Sequence, residues 1–169
     1  MLFRSAINKG HALFPRRIGG HYVMCSRIDG ERLYISYSDL LHFWESAELL
    51  MAGRADWELM QIGNSGSPIE TSEGWLLLTH GVGPMRAYSI GAMLLDLEDP
   101  VKVIGLLREP LLKPLGVERE GYVPNVVYTC GAMAHNNHLY MPYAVADKST
   151  RLAVVEMDKL IDRLLDSPV

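Results

Sequence analysis

Short apolar runs alternate with turn residues along the whole chain. The longest pair lies between positions 68 and 96, where the apolar runs Trp75 to Thr79 and Ala87 to Leu95 flank a stretch rich in Gly and Pro. Apolar runs of this length, bounded by turn residues, predict buried strands joined by a tight connection. We therefore expect a central hairpin whose turn carries His80 and Arg86.

This pattern places His80 at a strand end, beside a basic residue. Such a position suits an anion or sugar site, because functional groups collect where a rigid scaffold meets a loop. It also suits a histidine that is hydrogen-bonded inside a hairpin, and the pattern alone favours that second interpretation.

Three strands are expected before the hairpin. His11 to Phe14, His21 to Ser26 and Arg32 to Ser38 are separated by the turn formers Gly19-Gly20 and Asp29-Gly30, which predicts a meander. The segment after Ser38 predicts a helical turn with its apolar residues packed inward, namely Leu40, Phe43 and Trp44. A strand then resumes from Trp57 to Ile62.

The second half of the chain predicts more strands and one helix. Prolines 100, 110 and 114 favour extended segments after Asp96. Val123 to Thr129 and Arg151 to Met157 read as strands, and Asn136-Asn137 fits a type I′ turn. A short C-terminal helix begins near Asp158, with one apolar face formed by Leu160, Ile161, Leu164 and Leu165.

About nine short strands with turn signals every 8 to 12 residues or so predict an all-β sandwich, barrel or propeller. Aromatic residues and glycine-rich turns recur with each cycle, which favours the propeller. A chain of 169 residues is long enough for one domain, so we expect residues 1–169 to form a single unit.

Composition narrows the possible partners. The formal net charge is −4, so the chain has no basic field to attract a nucleic acid. The N-terminal residues lack the pattern of a secretory signal, and no apolar run approaches the ~20 residues that cross a bilayer. Cys25 and Cys130 belong to no CxxC pair, which indicates reduced thiols in a cytoplasmic protein.

Common catalytic motifs are absent from the sequence. Neither of the two glycine-rich nucleotide-binding motifs is present, and the loop from Gly63 to Ser67 misses the G-x-S-x-G hydrolase elbow by one position. His135 and His138 have a metal-compatible spacing, but they lack a third ligand nearby, so no metal or other cofactor is expected. The carboxylate of Asp147 ends an apolar run and suits either a sugar contact or an ordinary turn.

Six segments of the chain, in order, resemble glycoside hydrolase family 130, the β-mannoside phosphorylases and related β-mannosidases. The segments are LFPRRIGGHYVMCSR (13–27), SYSDLLHFW (36–44), PIETSEGWLLLTHGV (68–82), YSIGAMLLDLEDP (88–100), EGYVPNVVYTCG (120–131) and YAVAD (143–147). The resemblance implies a five-bladed β-propeller, of which this chain would cover about three blades plus the C-terminal helix. It also implies inverting cleavage of a β-mannoside, with inorganic phosphate as co-substrate or with water in its place.

The resemblance also assigns residues. His80 and Arg27 match phosphate-binding positions, and Lys9 lies near a further basic contact. Asp147 matches an acidic sugar contact, and Tyr88 faces the same cavity. Convergent cationic donors suit a phosphate dianion and position it for attack.

Two departures from the family complete the prediction. Family members are about twice as long, and their proton-donating aspartate lies in the half that this sequence does not match, so the catalytic residues here are unknown. The chain would then be a β-mannoside phosphorylase or hydrolase without its catalytic half, or a non-catalytic carbohydrate- or phosphate-binding fragment. Open blade edges predict a homo-oligomer or a partner chain that supplies the missing blades.

Overall fold

Strands form almost all of the regular structure in the computed structural model, which describes residues 2–3 and 7–167. Three short 3-10 turns lie at Asp56–Glu58, Pro84–Arg86 and Gly116–Arg119. The strands and the helix are, in chain order, β1 (Leu2–Phe3), β2 (Lys9–Leu13), β3 (Tyr22–Arg27), β4 (Leu33–Ser38), β5 (Phe43–Trp44), β6 (Glu48–Met51), β7 (Gln61–Asn64), β8 (Ile69–Glu70), β9 (Trp75–Val82), β10 (Tyr88–Leu95), β11 (Val103–Leu106), β12 (Val127–Tyr128), β13 (Met133–His135), β14 (His138–Val145), β15 (Ser149–Glu156) and α1 (Met157–Leu165).

Three antiparallel sheets follow one another along the sequence. Sheet 1 has the order β2-β3-β4-β6, and sheet 2 has the order β11-β10-β9-β7, with β8 also paired to β9. In sheet 3 the central strand β14 pairs with β15 along one side and with β12 and β13 along the other. A separate two-stranded parallel pair joins β1 to β5.

Sheet 2 is buried on both faces, because successive side chains of a strand point to opposite sides. Trp75 and Leu77 of β9 belong to an apolar cluster with residues of sheet 1 such as Val23. Leu76 and Leu78 of the same strand belong to a second cluster with sheet 3 and the helix. Sheets 1 and 3 therefore pack against opposite faces of sheet 2.

Helix α1 closes the second cluster. Its residues Leu160, Ile161 and Leu164 are buried among apolar side chains of sheets 2 and 3. The helix starts where the backbone N–H of Met157 donates to the carbonyl of Asn137 at 2.9 Å. The expected C-terminal helix is confirmed except at Leu165, which is exposed.

The prediction of His80 in a turn is wrong. Strand β9 continues through His80 to Val82, and His80 lies in register with Ile90 of β10 and with Gly63 of β7. The turn of the hairpin is confined to residues 83–87, where Met85 and Arg86 have positive φ angles. Pairing on both sides explains the longer strand, since β7 provides partners that the local pattern does not reveal.

Two further segments differ from the predicted elements. Residues 39–42 form turns, and of the three apolar side chains expected to pack, Trp44 is buried whereas Leu40 and Phe43 are exposed. The strand expected from Trp57 begins at Gln61, because a 3-10 turn forms first. Glu58 holds that turn by accepting the backbone N–H groups of residues 54 and 55.

The meander and the asparagine turn are confirmed. Strands β2, β3 and β4 pair in sequence, and Asn136 and Asn137 have φ angles of 46° and 60° between β13 and β14. The strand expected from Val123 to Thr129 shortens to two residues. The prediction of about nine strands is too low, since the described residues form fifteen strands, several of them with only two residues.

The two cysteines form no disulfide. Cys25 is buried between sheets 1 and 2, and burial raises the pKa of its thiol to about 12. Cys130 is exposed beyond the end of β12. Among residues 2–3 and 7–167, no helix has the length and apolar character needed to cross a membrane.

Variants of two adjacent leucines in α1 test whether the helix packs on the sheets as described. Leu164 is 0% exposed and Leu165 is 47% exposed. Leu164→Ala should lower the free energy of unfolding by about 2–5 kcal/mol, because it leaves a cavity between the helix and two sheets. Leu165→Ala should change it by less than about 0.5 kcal/mol. Urea denaturation of both variants checks this, and equal effects would contradict the docking.

Candidate functional site

Arg27 and His80 meet at the junction of sheets 1 and 2. Arg27 ends β3, and its Nη1 lies 3.3 Å from Nε2 of His80 on β9. Both residues are nearly inaccessible, at 6% and 2% exposure. The backbone N–H of Arg27 donates to Asn8 Oδ1 at 3.1 Å, which fixes the end of the strand. The structure therefore brings together the two residues that the resemblance assigned to phosphate.

Gly63 permits this contact. It lies in register with His80 on the neighbouring strand β7, and a Cβ added there would lie 2.7 Å from Cε1 of His80 and 2.9 Å from Cδ of Arg27. Real side chains do not approach so closely, so a side chain at position 63 would displace the guanidinium. Because Gly63 has no side chain, the side chain of Arg27 can pass strand β7 and reach His80.

His80 is held on its other side by Ser65. The Oγ of Ser65 lies 3.3 Å from Nδ1 of His80, and Ser65 is itself buried. Burial lowers the pKa of His80 from 6.5 to about 3, the charges of Arg27 and Lys9 act in the same direction, and a hydrogen bond to the backbone of Asn64 opposes them. His80 is therefore neutral at physiological pH.

Two tyrosines form an aromatic wall around His80. The ring of Tyr88 stacks at a centroid distance of 6.4 Å and an angle of 13°, and the ring of Tyr128 lies at 4.9 Å and 55°. Tyr88 belongs to sheet 2 and Tyr128 to sheet 3, and a backbone bridge between Tyr88 and Val126 links the two sheets there. Burial raises the pKa of Tyr128, so its hydroxyl keeps its proton.

Among the residues that the structure describes, the buried guanidinium of Arg27 forms no salt bridge, and the carboxylate of Asp29 acts on it only through its charge. Within the same ranges, the Nε of Arg27 has no hydrogen-bond partner. Oδ1 of Asn64 is also buried without a partner, and both atoms lie beside Gly10. Burial lowers the pKa of Arg27, which remains a cation. Since buried charges are normally paired, this arrangement suits a small anion with both acceptor oxygens and a hydroxyl.

Lys9 and Asp147 lie outside this cluster. Lys9 is exposed and pairs in register with Arg27, so it sits at the rim of the site. Asp147 occupies the exposed turn between β14 and β15 with a φ of 52°. Among the residues that the structure describes, Asp147 makes no hydrogen bond or ion pair with Arg27 or His80. Asp147 therefore lies in a turn, as one of the two interpretations of its sequence position predicted.

Two further groups of polar residues lie in turns. Three acidic residues, Asp96, Glu98 and Asp99, are close together in sequence, and Asp96 accepts the backbone N–H groups of the other two. His135 and His138 face each other in register across the asparagine turn. In the described part of the chain, no three His, Cys, Asp or Glu side chains are grouped so that they could hold a metal ion.

The sequence carries no local signal for the roles of Ser65, Gly63 and Tyr128. Gly63 lies in β7 and Ser65 follows that strand, and their spacing resembles a hydrolase elbow without indicating a partner for a histidine. Tyr128 lies in the YTCG part of a segment that carries the family resemblance. Its place beside His80 depends on the packing of sheet 3 against sheet 2, which local pattern does not report.

A profile of a known protein family matches almost the whole chain. The profile of glycoside hydrolase family 130, described as beta-1,4-mannooligosaccharide phosphorylase, matches residues 2–166. The chain belongs to this family.

Similar proteins in the family act on mannosides. A 1,2-beta-oligomannan phosphorylase of Thermoanaerobacter sp. (strain X514) is 42% identical over 152 residues, which cover 89% of this chain and 51% of the relative. A beta-1,4-mannooligosaccharide phosphorylase of Ruminococcus albus is 35% identical over 167 residues, covering 92% and 50%. The family 130 chain thus spans about half the length of the curated relatives it matches.

A solved structure supports the fold assignment of the family 130 chain. The beta-1,2-mannobiose phosphorylase from Listeria innocua, in complex with beta-1,2-mannobiose, superposes with a TM-score of 0.87 at 31% identity. The match covers 95% of this chain and 47% of that chain. The three sheets described above therefore have counterparts in a family member.

The neutrality of His80 predicts a specific acid response. Its pKa is about 3 in the folded chain against 6.5 in the unfolded chain, so the unfolded state binds more protons between these values. The contribution to stability is complete above pH 6.5 and should fall by about 1.4 kcal/mol per pH unit below it. His80→Gln should remove this slope from urea denaturation measured between pH 7 and 5.

His42 provides the matched control because it is exposed. His42→Gln should leave the pH dependence of unfolding as in the unmodified chain. An unchanged slope in His80→Gln would contradict the neutral, buried state of His80.

Proposed function

We propose that this chain provides the phosphate-binding side of a β-mannoside phosphorylase. The observation that carries the proposal is the buried guanidinium of Arg27, which lies against a neutral histidine and, within residues 2–3 and 7–167, forms no salt bridge with a carboxylate. A dianion with convergent donors would compensate that charge. The similar proteins described above are phosphorylases of β-linked mannosides, which supports phosphate as the anion.

The proposed reaction is the inverting phosphorolysis that the family resemblance implies. A phosphate oxygen attacks the anomeric carbon of the mannosyl unit, the bond from that carbon to the glycosidic oxygen breaks, and the leaving oxygen takes a proton from an acid. The products are α-mannose 1-phosphate and a shortened saccharide. Arg27 orients the phosphate and offsets its charge, Lys9 adds positive potential at the rim, and His80 holds the guanidinium from behind.

The sugar side of the site is proposed from Tyr88 and Asp147. Tyr88 offers a ring face and a hydroxyl next to His80, which suits a sugar with both apolar and polar surfaces. Asp147 would reach sugar hydroxyls from the turn after β14. We propose β-1,2-linked mannosides as the first substrate to examine and β-1,4-linked mannosides as the second, in the order of identity to the two named relatives.

The proton donor is proposed to come from another polypeptide segment. Among the described residues, no carboxylate makes a hydrogen bond with Arg27 or His80, and an inverting reaction needs an acid on the leaving group. The same observation favours the second candidate function, a non-catalytic module that binds phosphate or carbohydrate. The two unpaired thiols support a cytoplasmic setting for either function.

Residues 1–169 are proposed to form one unit, three consecutive blades of a five-bladed propeller. Face-to-face packing of sheets 1, 2 and 3 and the match to about half of each relative support this architecture. The outer face of sheet 3 would then be covered by another chain. Leu152 and Val154 on β15 are 60% and 51% exposed there, next to the exposed Met133. An exposed apolar sheet face of this kind favours association.

The phosphate site is tested by binding and by turnover. The purified chain should bind inorganic phosphate in calorimetry, and Arg27→Lys should weaken binding by about 10- to 100-fold, because an ammonium cannot reproduce the planar donor set. Arg17→Lys is the control, since Arg17 is exposed and stacks on Tyr22. Phosphate affinity that survives Arg27→Lys unchanged would overturn the site.

Turnover separates the two candidate functions. The chain is incubated with β-1,2-mannobiose and β-1,4-mannobiose, each with and without phosphate, and mannose 1-phosphate is measured against free mannose. Phosphate-dependent mannose 1-phosphate indicates a complete site built by this chain or its oligomer. Phosphate binding without either product, from folded protein, identifies the non-catalytic module.

The outer face of sheet 3 is tested by sedimentation velocity. In the purified protein the proposed occupant is a second copy, so the unmodified chain should sediment as a dimer or larger species. Leu152→Lys should shift it to the monomer because a charge in the apolar contact is costly to bury. Leu59→Lys, at an exposed leucine outside sheet 3, should not. A monomeric unmodified chain would refute association through a second copy.

A further inference from the structure

The contact between Arg27 and His80 favours one position for the proton on the imidazole ring. A guanidinium carries hydrogen-bond donors and no acceptor. The Nη1 of Arg27 therefore donates to Nε2 of His80 across 3.3 Å, and Nε2 must present its lone pair. In a neutral imidazole the proton then resides on Nδ1. The opposite tautomer would place two N–H groups against each other in a buried contact.

Ser65 lies where its hydroxyl oxygen can accept a hydrogen bond from Nδ1–H. Its Oγ lies 3.3 Å from Nδ1, and the side chain is buried. The Ser65 backbone is fixed to sheet 2, because its N–H donates to the carbonyl of Leu78 at 2.8 Å. A hydroxyl oxygen held in this way accepts the Nδ1 proton, and the backbone of Asn64 adds a second contact to the same ring.

The three side chains form one directional series of hydrogen bonds. Arg27 donates to His80, and His80 donates to Ser65. We infer that Ser65 is a positioning residue. By accepting a hydrogen bond from Nδ1–H, it keeps Nε2 of His80 unprotonated, and Nε2 in turn orients the Arg27 guanidinium towards its anion. The inference rests on the proposed function only for the identity of the anion. The orientation of the ring and its tautomer are properties of the ligand-free chain.

The tautomer can be measured without phosphate. Nitrogen NMR of the whole chain, with the histidine rings labelled with nitrogen-15, distinguishes protonated from unprotonated ring nitrogens at pH 7. We expect the His80 signals to show a protonated Nδ1 and an unprotonated Nε2, with His80→Gln used to assign them. A ring protonated at Nε2 in the ligand-free chain would overturn the inference.

Variants at position 65 then separate positioning from simple packing. Ser65→Ala removes one of the contacts that hold the Nδ1-protonated ring, so the Nε2-protonated share should rise and phosphate affinity should weaken about fivefold, the effect of one neutral hydrogen bond. Ser65→Thr keeps the hydroxyl and should restore the Nδ1-protonated signal and the affinity. Ser36→Ala is the matched control, because Ser36 is also buried but bonds to Ser26 in sheet 1.

The outcomes distinguish this inference from the proposed function. If the unmodified chain has the expected tautomer and Ser65→Ala changes it, but neither binds phosphate, the proposed function fails and the positioning role stands. If phosphate binds and Ser65→Ala alters neither the tautomer nor the affinity, the positioning role is refuted and the phosphate site stands. Ring signals that change equally in Ser36→Ala would assign the effect to packing and refute the role.

Discussion

The packing of the β9–β10 hairpin between two other sheets is the constraint on which this molecule depends. Each strand of the hairpin has apolar side chains on both faces, so neither face can be left in water without loss of the hydrophobic free energy that holds the sheets together. Sheet 1 covers one face and sheet 3 covers the other. The position of every functional side chain follows from this arrangement, since Arg27, His80 and Tyr128 belong to three different sheets.

The same packing creates the electrostatic character of the site. Burial removes water from Arg27 and lowers the tendency of His80 to accept a proton, so that one cation and one neutral acceptor share a small volume. If His80 were charged, the pair would repel in a medium of low polarity. The neutral ring therefore lets the chain bury a guanidinium against it, and Gly63 leaves the room that the contact requires.

Much of the fold follows from local sequence. The meander, the Asn136-Asn137 turn and the helix after β15 were predicted because turn residues and apolar spacing specify them within a few positions. The site residues Arg27, His80, Lys9, Tyr88 and Asp147 came from the family resemblance. What local pattern could not predict depends on neighbours far along the chain.

Strand β9 illustrates that limit, since it extends through His80 because β7 pairs with it from the other side. The segment from Trp57 to Ile62 shows the same limit, because a strand was predicted there from Trp57 onwards. In the structure Nε1 of Trp57 donates to the carbonyl of Arg108, and the buried Glu58 holds a tight turn beside it. Tyr128 joined the site through sheet-to-sheet packing, which has no signature within a window of ten or so residues.

The two cysteines differ in exposure, so a thiol-reactive label would attach to only one of them. Cys25 is sealed between two sheets with its thiol pKa raised to about 12, so it stays unreactive towards alkylating reagents near neutral pH. Cys130 is exposed two positions after Tyr128, which forms part of the wall around His80. A maleimide dye would therefore attach at one place without any mutation, and its emission would report changes next to the strand that carries Tyr128.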